Sequence, residues 1–245
     1  MLPLFHAMSV ADDVVLLIGD EARHAAAVTR VRVGERIRVS DGISEYVEGT
    51  IVAVSKHQVE VSVESRFSLH PSDSTLVVAQ ALAKGDGSST AVAMLTAVGV
   101  DEILPWSALR SIAKWEPPTA QEFATSISKG QERWMSVARE ASKQSRRIAI
   151  PKIAALHSTR DLIARIQSAD CAIVLHESAL EPIVKIQLPS KGEVLIVVGP
   201  EGGIDESELE LFSAAGAHFA LLGPTVLRSA HAGGIAAALV LSTHW

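Results

Sequence analysis

The sequence predicts a chain of two domains: a small antiparallel β-sheet or β-barrel, then a larger α/β domain whose mostly parallel sheet carries helices on both faces. Three observations predict it. Residues 1–72 alternate apolar and polar side chains with period two, as strands with one wet face do. After them come short, nearly continuous apolar runs separated by helical stretches, the pattern of strands covered on both sides. The 245 residues are 48% hydrophobic and 20% charged, a balance that excludes a disordered polyelectrolyte and supplies enough apolar surface for real cores.

In order, the first strands fall at residues 36–40, 46–52 and 59–64, with turns at Asp41-Gly42 and around 55–58. A short helix over 20–31 interrupts them. Residues 67–74, with Pro71 and little periodicity, read as the linker, so the domains are expected at 1–72 and 73–245. The second domain offers strands at 76–83, 103–106, 172–175, 194–198 and 219–222. Helices are expected between and after them at 88–98, 119–123, 129–147, 160–168, 205–214 and 231–243. Ligands of open parallel sheets lie outside the carboxyl ends of the strands, which directs attention to the loops there.

Several function classes are excluded early. No apolar run approaches the ~18 residues that cross a bilayer, so no membrane partner is expected. Met1-Leu2-Pro3-Leu4-Phe5-His6 has no basic stretch before an apolar one, which predicts a cytoplasmic protein. The single cysteine, Cys171, sits in an apolar run and reads as a buried thiol. Nine scattered histidines make no local metal motif, and no G-x-S-x-G elbow is present.

The net charge of −6 argues against a nucleic-acid partner only as an average. Residues 110–152 carry nine Lys or Arg against four Glu, whereas 153–245 carry five against ten acids. On the helix expected at 129–147, Trp134, Val137, Ala138, Ala141 and Ser145 form a buried stripe, leaving Arg139, Lys143, Arg146 and Arg147 on the outer face. Such a face is either simply solvated or directed at phosphates. With aromatics at 4%, ring stacking contributes little, so backbone charge and shape would carry RNA affinity.

Three glycine-rich loops follow strands. Gly85-Asp86-Gly87-Ser88-Ser89-Thr90 is a partial dinucleotide fingerprint with Thr90 where the third glycine belongs, or a plain strand-to-helix turn. Gly199-Pro200-Glu201-Gly202-Gly203 runs straight out of the apolar 194–198 strand into Asp205 and Glu208, a capping-box pattern. It lacks the Lys-Ser/Thr of a P-loop. Leu221-Leu222-Gly223-Pro224 precedes Val226-Leu227-Arg228 and a helix of small residues, His231 to Ala238, suited to a tight crossing or a subunit contact.

Together these residues resemble the RsmE family of SPOUT RNA methyltransferases, which methylate N3 of a uridine in small-subunit ribosomal RNA. The second loop with Glu208, then Leu222-Gly223 and Leu227-Arg228, is similar to the family's C-terminal signature. Arg23-His24, Arg30, Gly34 and Asp41-Gly42 are similar to its PUA-like N-terminal β-barrel. Arg133-Trp134, Glu140-Ala141, Gln144-Ser145, Arg147 and Pro151 are similar to its long basic helix.

The resemblance implies a SPOUT domain with a trefoil knot, a homodimer through that domain, and S-adenosyl-L-methionine as cofactor. It assigns the cofactor pocket to Leu175, His176 and Glu177, to Val198, Gly199, Pro200, Glu201, Gly202 and Gly203, and to Leu221, Leu222, Gly223 and Leu227. It implies small-subunit ribosomal RNA as partner, with Arg23, His24, Arg30, Arg139, Lys143, Arg146 and Arg147 as RNA-binding candidates. Methyl transfer from a sulfonium needs orientation and an acceptor nitrogen that has lost or shares its proton; a cation near the ring helps, and Arg228 is the candidate, with a structural ion pair to Glu201 as the other reading. Two family carboxylates are missing: Ala97-Val98-Gly99 stands for Glu-Leu-Gly, and Ala230-His231-Ala232 for Glu-Thr-Ala. No general base is therefore assigned. Another RNA acceptor, such as a ribose 2′-hydroxyl, and a non-catalytic ribosome-binding module are the alternatives.

Overall fold

Strands that alternate apolar and polar residues bury one face of a sheet and wet the other. In the computed structural model, which describes residues 2–70, 72–115 and 127–242, five N-terminal strands do this. They are β1 (Leu4–His6), β2 (Val14–Ile18), β3 (Arg36–Ser40), β4 (Glu45–Val54) and β5 (Gln58–Ser68), in the order β1-β3-β4-β5-β2. Four of these strands pair antiparallel as expected, but β1 joins β3 in parallel. A parallel neighbour needs a crossover, and the chain between β1 and β3 supplies one: β2, α1 (Gly19–Arg23) and a π-helical turn at His24–Thr29. Phe5, Leu17, Ile37, Ile51 and Val59 fill the core beneath the sheet.

The first stretch of this unit runs from Met1 to Pro71, and a second segment, Ser142–Ile150, packs with it. Ser40 Oγ donates to Ile148 O at 2.9 Å, and Ile150 N donates to Gly42 O at 2.8 Å. Pairings this far apart in sequence leave no trace in periodicity.

The second unit holds an all-parallel six-stranded sheet, β11-β9-β10-β6-β7-β8. Its strands are β6 (Ser74–Ala81), β7 (Glu102–Trp106), β8 (Lys152–Ile153), β9 (Cys171–Leu175), β10 (Gly192–Val198) and β11 (His218–Ala220). Helices α2 (Gly87–Val98), α4 (Thr159–Ser168), α5 (Glu206–Ala214) and α6 (Ser229–Leu241) connect and cover them, and α3 (Lys129–Ser145) belongs to this unit as far as Ala141. The helix expected at 119–123 lies outside the described residues. Leu104, Trp106, Leu162, Val197 and Phe212 sit in the core, with Trp106 edge-on to Phe212 at 5.5 Å. Buried Cys171 opens β9, between β10 and β11. Side-chain capping boxes start α4 (Ser158 with Asp161) and α5 (Asp205 with Glu208).

The strand order positions the site. The chain leaves β10, passes through α5 and returns as β11 on the far side of β9, so the ends of β9, β10 and β11 lie side by side. The strand expected at 219–222 ends at Ala220, which frees Leu221 and Leu222 for the loop beyond.

Helix α3 corrects the expected cationic face. It ends at Ser145, and Arg146 turns into the left-handed region at φ 56°, so Arg146 and Arg147 leave the helix. Ser145 is exposed where burial was expected, and Ser142 and Lys143 are buried instead. Lys143 Nζ meets Glu21 Oε2 at 3.1 Å, with only 4% of the lysine side chain exposed. Local spacing could not foresee a partner 122 residues away.

Candidate active site

At the carboxyl ends of β9, β10 and β11 the walls part into a cavity of about 650 Å³, a size typical of small-molecule sites. Leu175, His176 and Glu177 line it from the end of β9. Val198, Gly199, Pro200, Glu201, Gly202 and Gly203 line it from the end of β10. Leu221, Leu222, Gly223, Leu227 and Arg228 line it from the segment between β11 and α6. Three stretches far apart in sequence thus face one space. Gly203 has φ +74° and its N–H closes a turn on Pro200 O at 3.0 Å, so this loop shape favours a residue without a Cβ.

Arg228 is the last residue before α6. Its carbonyl accepts the His231 and Ala232 amides, which fixes the backbone, while its exposed side chain has no ion pair among the described residues. The ion pair to Glu201 considered from sequence is absent there. Glu201 Oε1 instead accepts the Lys84 amide at 3.2 Å. That bond brings the first glycine-rich loop beside the second: a Cβ added at Gly87 would stand 3.5 Å from Glu201 Oε1 and 3.9 Å from Ala230 Cβ. Ala97, the other position lacking a family carboxylate, is exposed on α2.

The cavity also holds residues that the sequence reading missed, among them Arg110, Ile204 and Ser229. Arg110 lies just past the end of β7, so the carboxyl-end rule could have found it. Its guanidinium meets Asp205 Oδ2 at 3.0 Å and reaches Gly202 O at 3.5 Å. Hydrogen bonds from the Ser207 hydroxyl and amide, and then Arg110, hold the Asp205 carboxyl below the usual carboxylate range. Buried Glu208 accepts from Leu109 N at 3.0 Å, Thr159 Oγ1 at 2.7 Å and Asp205 N at 3.3 Å, tying the loop that carries Arg110 to the start of α5.

Most of the candidate RNA-binding residues lie at the surface. Arg23 is exposed and pairs with Asp20 at 2.8 Å; the His24 ring lies edge-on to Phe5, 6.1 Å away. Arg30 is exposed in the left-handed region at φ 57°. Arg139 and Arg146 are exposed and Arg147 is half-buried, whereas Lys143, buried against Glu21, is not available at the surface. Among the described residues, no group of three His, Cys, Asp or Glu is placed to hold a metal ion, and no helix is long and apolar enough to cross a membrane.

Residues 70–241 match the RNA methyltransferase domain family, and residues 17–64 match the RNA methyltransferase PUA domain family. The ribosomal RNA small subunit methyltransferase E of Mycobacterium bovis is 36% identical over 99% of this chain and 93% of its own length. The chain belongs to the ribosomal RNA small subunit methyltransferase E family. The Bacillus subtilis member is 31% identical over 87% of this chain and 84% of its own. Among solved structures, a probable rRNA-methyltransferase from Porphyromonas gingivalis superposes with a TM-score of 0.77 at 26% identity, covering 99% of this chain and 98% of that one. The methyltransferase E from Neisseria gonorrhoeae, bound to S-adenosyl methionine, shares the fold with a TM-score of 0.85 at 24% identity, covering 100% of this chain and 98% of that one.

Proposed function

We propose that this protein transfers the methyl group of S-adenosylmethionine to N3 of a uridine in small-subunit ribosomal RNA, with the assembled 30S subunit as substrate. The observation that carries the reading is the cavity at the ends of β9, β10 and β11, lined by every residue that the family resemblance assigned to the cofactor. The donor set fits that cofactor. Apolar side chains of Val198, Leu221, Leu222 and Leu227 suit a flat heterocycle, and the glycine loop offers backbone to the polar groups of a ribose and an amino acid.

When bound, the cofactor supplies an electrophilic methyl on a sulfonium. The chain's residues hold and aim. Gly199 to Gly203 and Leu221 to Gly223 fix the donor's orientation, which is worth most in an in-line displacement. Arg228, a cation without an ion partner among the described residues, faces the space where negative charge develops on the uracil ring as N3 gives up its proton. RNA is engaged by the first domain, residues 1–72, through Arg23, His24 and Arg30, and by Arg139, Arg146 and Arg147. Homodimerisation through the domain at 73–245 and its knot belong to the same proposal and rest on the family resemblance; a cytoplasmic location is proposed with them.

The test is incubation with labelled S-adenosylmethionine and either free ribosomal RNA or assembled small subunits, followed by nucleoside mass spectrometry. 3-Methyluridine formed on subunits is the expected product. Label on ribose or on another base would reassign the acceptor, and binding without label would favour a non-catalytic role.

A further inference from the structure

Strand β6 is apolar toward its end except at Gln80, which is completely buried. Gln80 does not line the cavity, yet its Nε2 donates to Ser229 Oγ at 3.0 Å and to Ala81 O at 3.2 Å. Ser229, at the start of α6, does line the cavity, and its Oγ stands 2.6 Å from Gly199 O. A carbonyl oxygen only accepts, so the one hydroxyl proton of Ser229 is committed to Gly199 and the hydroxyl must accept from Gln80. Ala81 O imposes the same orientation on the amide from a second side. Gln80 Oε1 is left buried without a hydrogen-bond partner among the described residues, 3.3 Å from where a Cβ on Gly233 would lie. Burying an unpaired oxygen opposes folding, and a leucine or methionine would fill the space without it. What the amide does, and an apolar side chain cannot, is set the direction of the Ser229 hydroxyl.

We propose that Gln80 is a positioning residue for the cofactor site: through Ser229 it holds Gly199 to the start of α6 and so sets the spacing of two cavity walls. The inference rests on reading this cavity as the S-adenosylmethionine site. It predicts that the hydrogen-bonding direction at position 80 matters more than its size. Gln80→Glu keeps the shape, but an ionised carboxylate only accepts, so two acceptors then compete for the Ser229 proton.

Calorimetric titration of the full chain with S-adenosylmethionine tests this. Above neutral pH, Gln80→Glu is expected to bind about 10-fold more weakly or worse, and to recover as acidification turns the new carboxyl into a donor. Among the described neighbours of Gln80, the register partners Val198 and Pro105, and Ser229 and Gly233 of α6, have no ionisable side chain, and the wild-type pH profile is the control for His176, Glu177 and Glu201 in the cavity itself. Desolvation places the recovery above the ordinary carboxylate range. Gln80→Leu, which removes the donor without adding an acceptor, is expected to lose only about 3-fold. Ser229→Ala, which removes the hydroxyl that both hydrogen bonds share, should weaken binding about as far; this variant decides the matter if Gln80→Glu does not fold. A packing role alone would make Gln80→Leu no milder than Gln80→Glu and give no acid recovery, and either result overturns the inference. Wild-type chain that binds no S-adenosylmethionine overturns the reading of the cavity and the inference with it. Wild-type binding with Gln80→Glu and Ser229→Ala unaffected overturns the inference alone.

Discussion

At the amino ends of the parallel strands, Arg165 reaches Glu102 at 3.3 Å and Glu193 at 2.9 Å, and Lys152 holds Glu102 from the other side at 2.7 Å. At the carboxyl ends, Arg228 lies exposed in the cavity with no ion partner among the described residues. The acids diverge as well. Burial pushes the Glu193 carboxyl up, with Glu102 and Asp170 adding to it against Arg165, whereas hydrogen bonds from Ser207 and the nearby Arg110 hold Asp205 down. One end of the sheet has its charges matched to one another, and the other keeps a cation available. The difference separates charge that holds the fold from charge positioned for a ligand.

The sharpest break would come from exchanging the consequences of the two arginines. Arg228→Ala is expected to lower the methyl-transfer rate about 100-fold or more while cofactor affinity and melting temperature hold, because the stabilised charge exists only in the transition state. An unchanged rate would remove Arg228 from the chemistry. Arg165→Ala should do the reverse: it leaves Glu102 and Glu193 without their shared cation, costing about 2 kcal/mol in urea unfolding, with the rate per folded molecule retained.

Gly203→Val comes next. Nothing lies within 4 Å of an added Cβ, so the expected loss comes from the positive φ and not from a clash. A β-branched residue there costs about 1–3 kcal/mol, which reshapes the loop and weakens S-adenosylmethionine binding roughly 10- to 100-fold in calorimetry while the melting curve stays cooperative.

The two acids give a smaller effect of opposite sign. Asp205, with its folded value lowered, contributes stability that is present above the usual carboxylate range and is lost as pH falls. Glu193, with its folded value raised, contributes stability that is present below that range and is lost as pH rises. Urea midpoints across the carboxylate range should therefore shift in favour of Glu193→Gln, and against Asp205→Asn, as pH increases. Parallel trends would show that the two ends do not differ in this way.

The smallest expected effect carries the contrast to the first unit. Arg146→Ala should flatten the salt dependence of RNA binding by about one phosphate contact. Lys143→Met should leave that slope alone, since Lys143 is matched to Glu21.

What the sequence made legible follows from how local each signal is. The apolar runs of β6, β7, β9 and β10 appear within about two residues of their observed limits, because strands buried on both faces announce themselves by composition. The glycine loop and the capping box at Asp205 are likewise local. Strand β2 was missed because Val14, Leu16 and Ile18 leave its outward face apolar, 45–52% exposed, which erases the alternation. The roles of Lys143, Glu208 and Gln80 depend on partners roughly 50 to 150 residues away, and pattern within a window holds no information about them. Arg110, four residues past the end of β7, is legible in principle, because the carboxyl ends of parallel strands are where ligands gather.

Cys171 has one further use. It is the chain's single thiol, it opens β9 between two parallel neighbours, and burial raises its ionisation above the ordinary value. Since alkylating reagents attack the thiolate and Cys171 is buried in register with Val194, modification speeds up when the start of β9 parts from β10. The wild-type protein thus carries its own clock for the opening of the sheet that forms the cavity, and a ligand seated at the other end of the same strand should slow it.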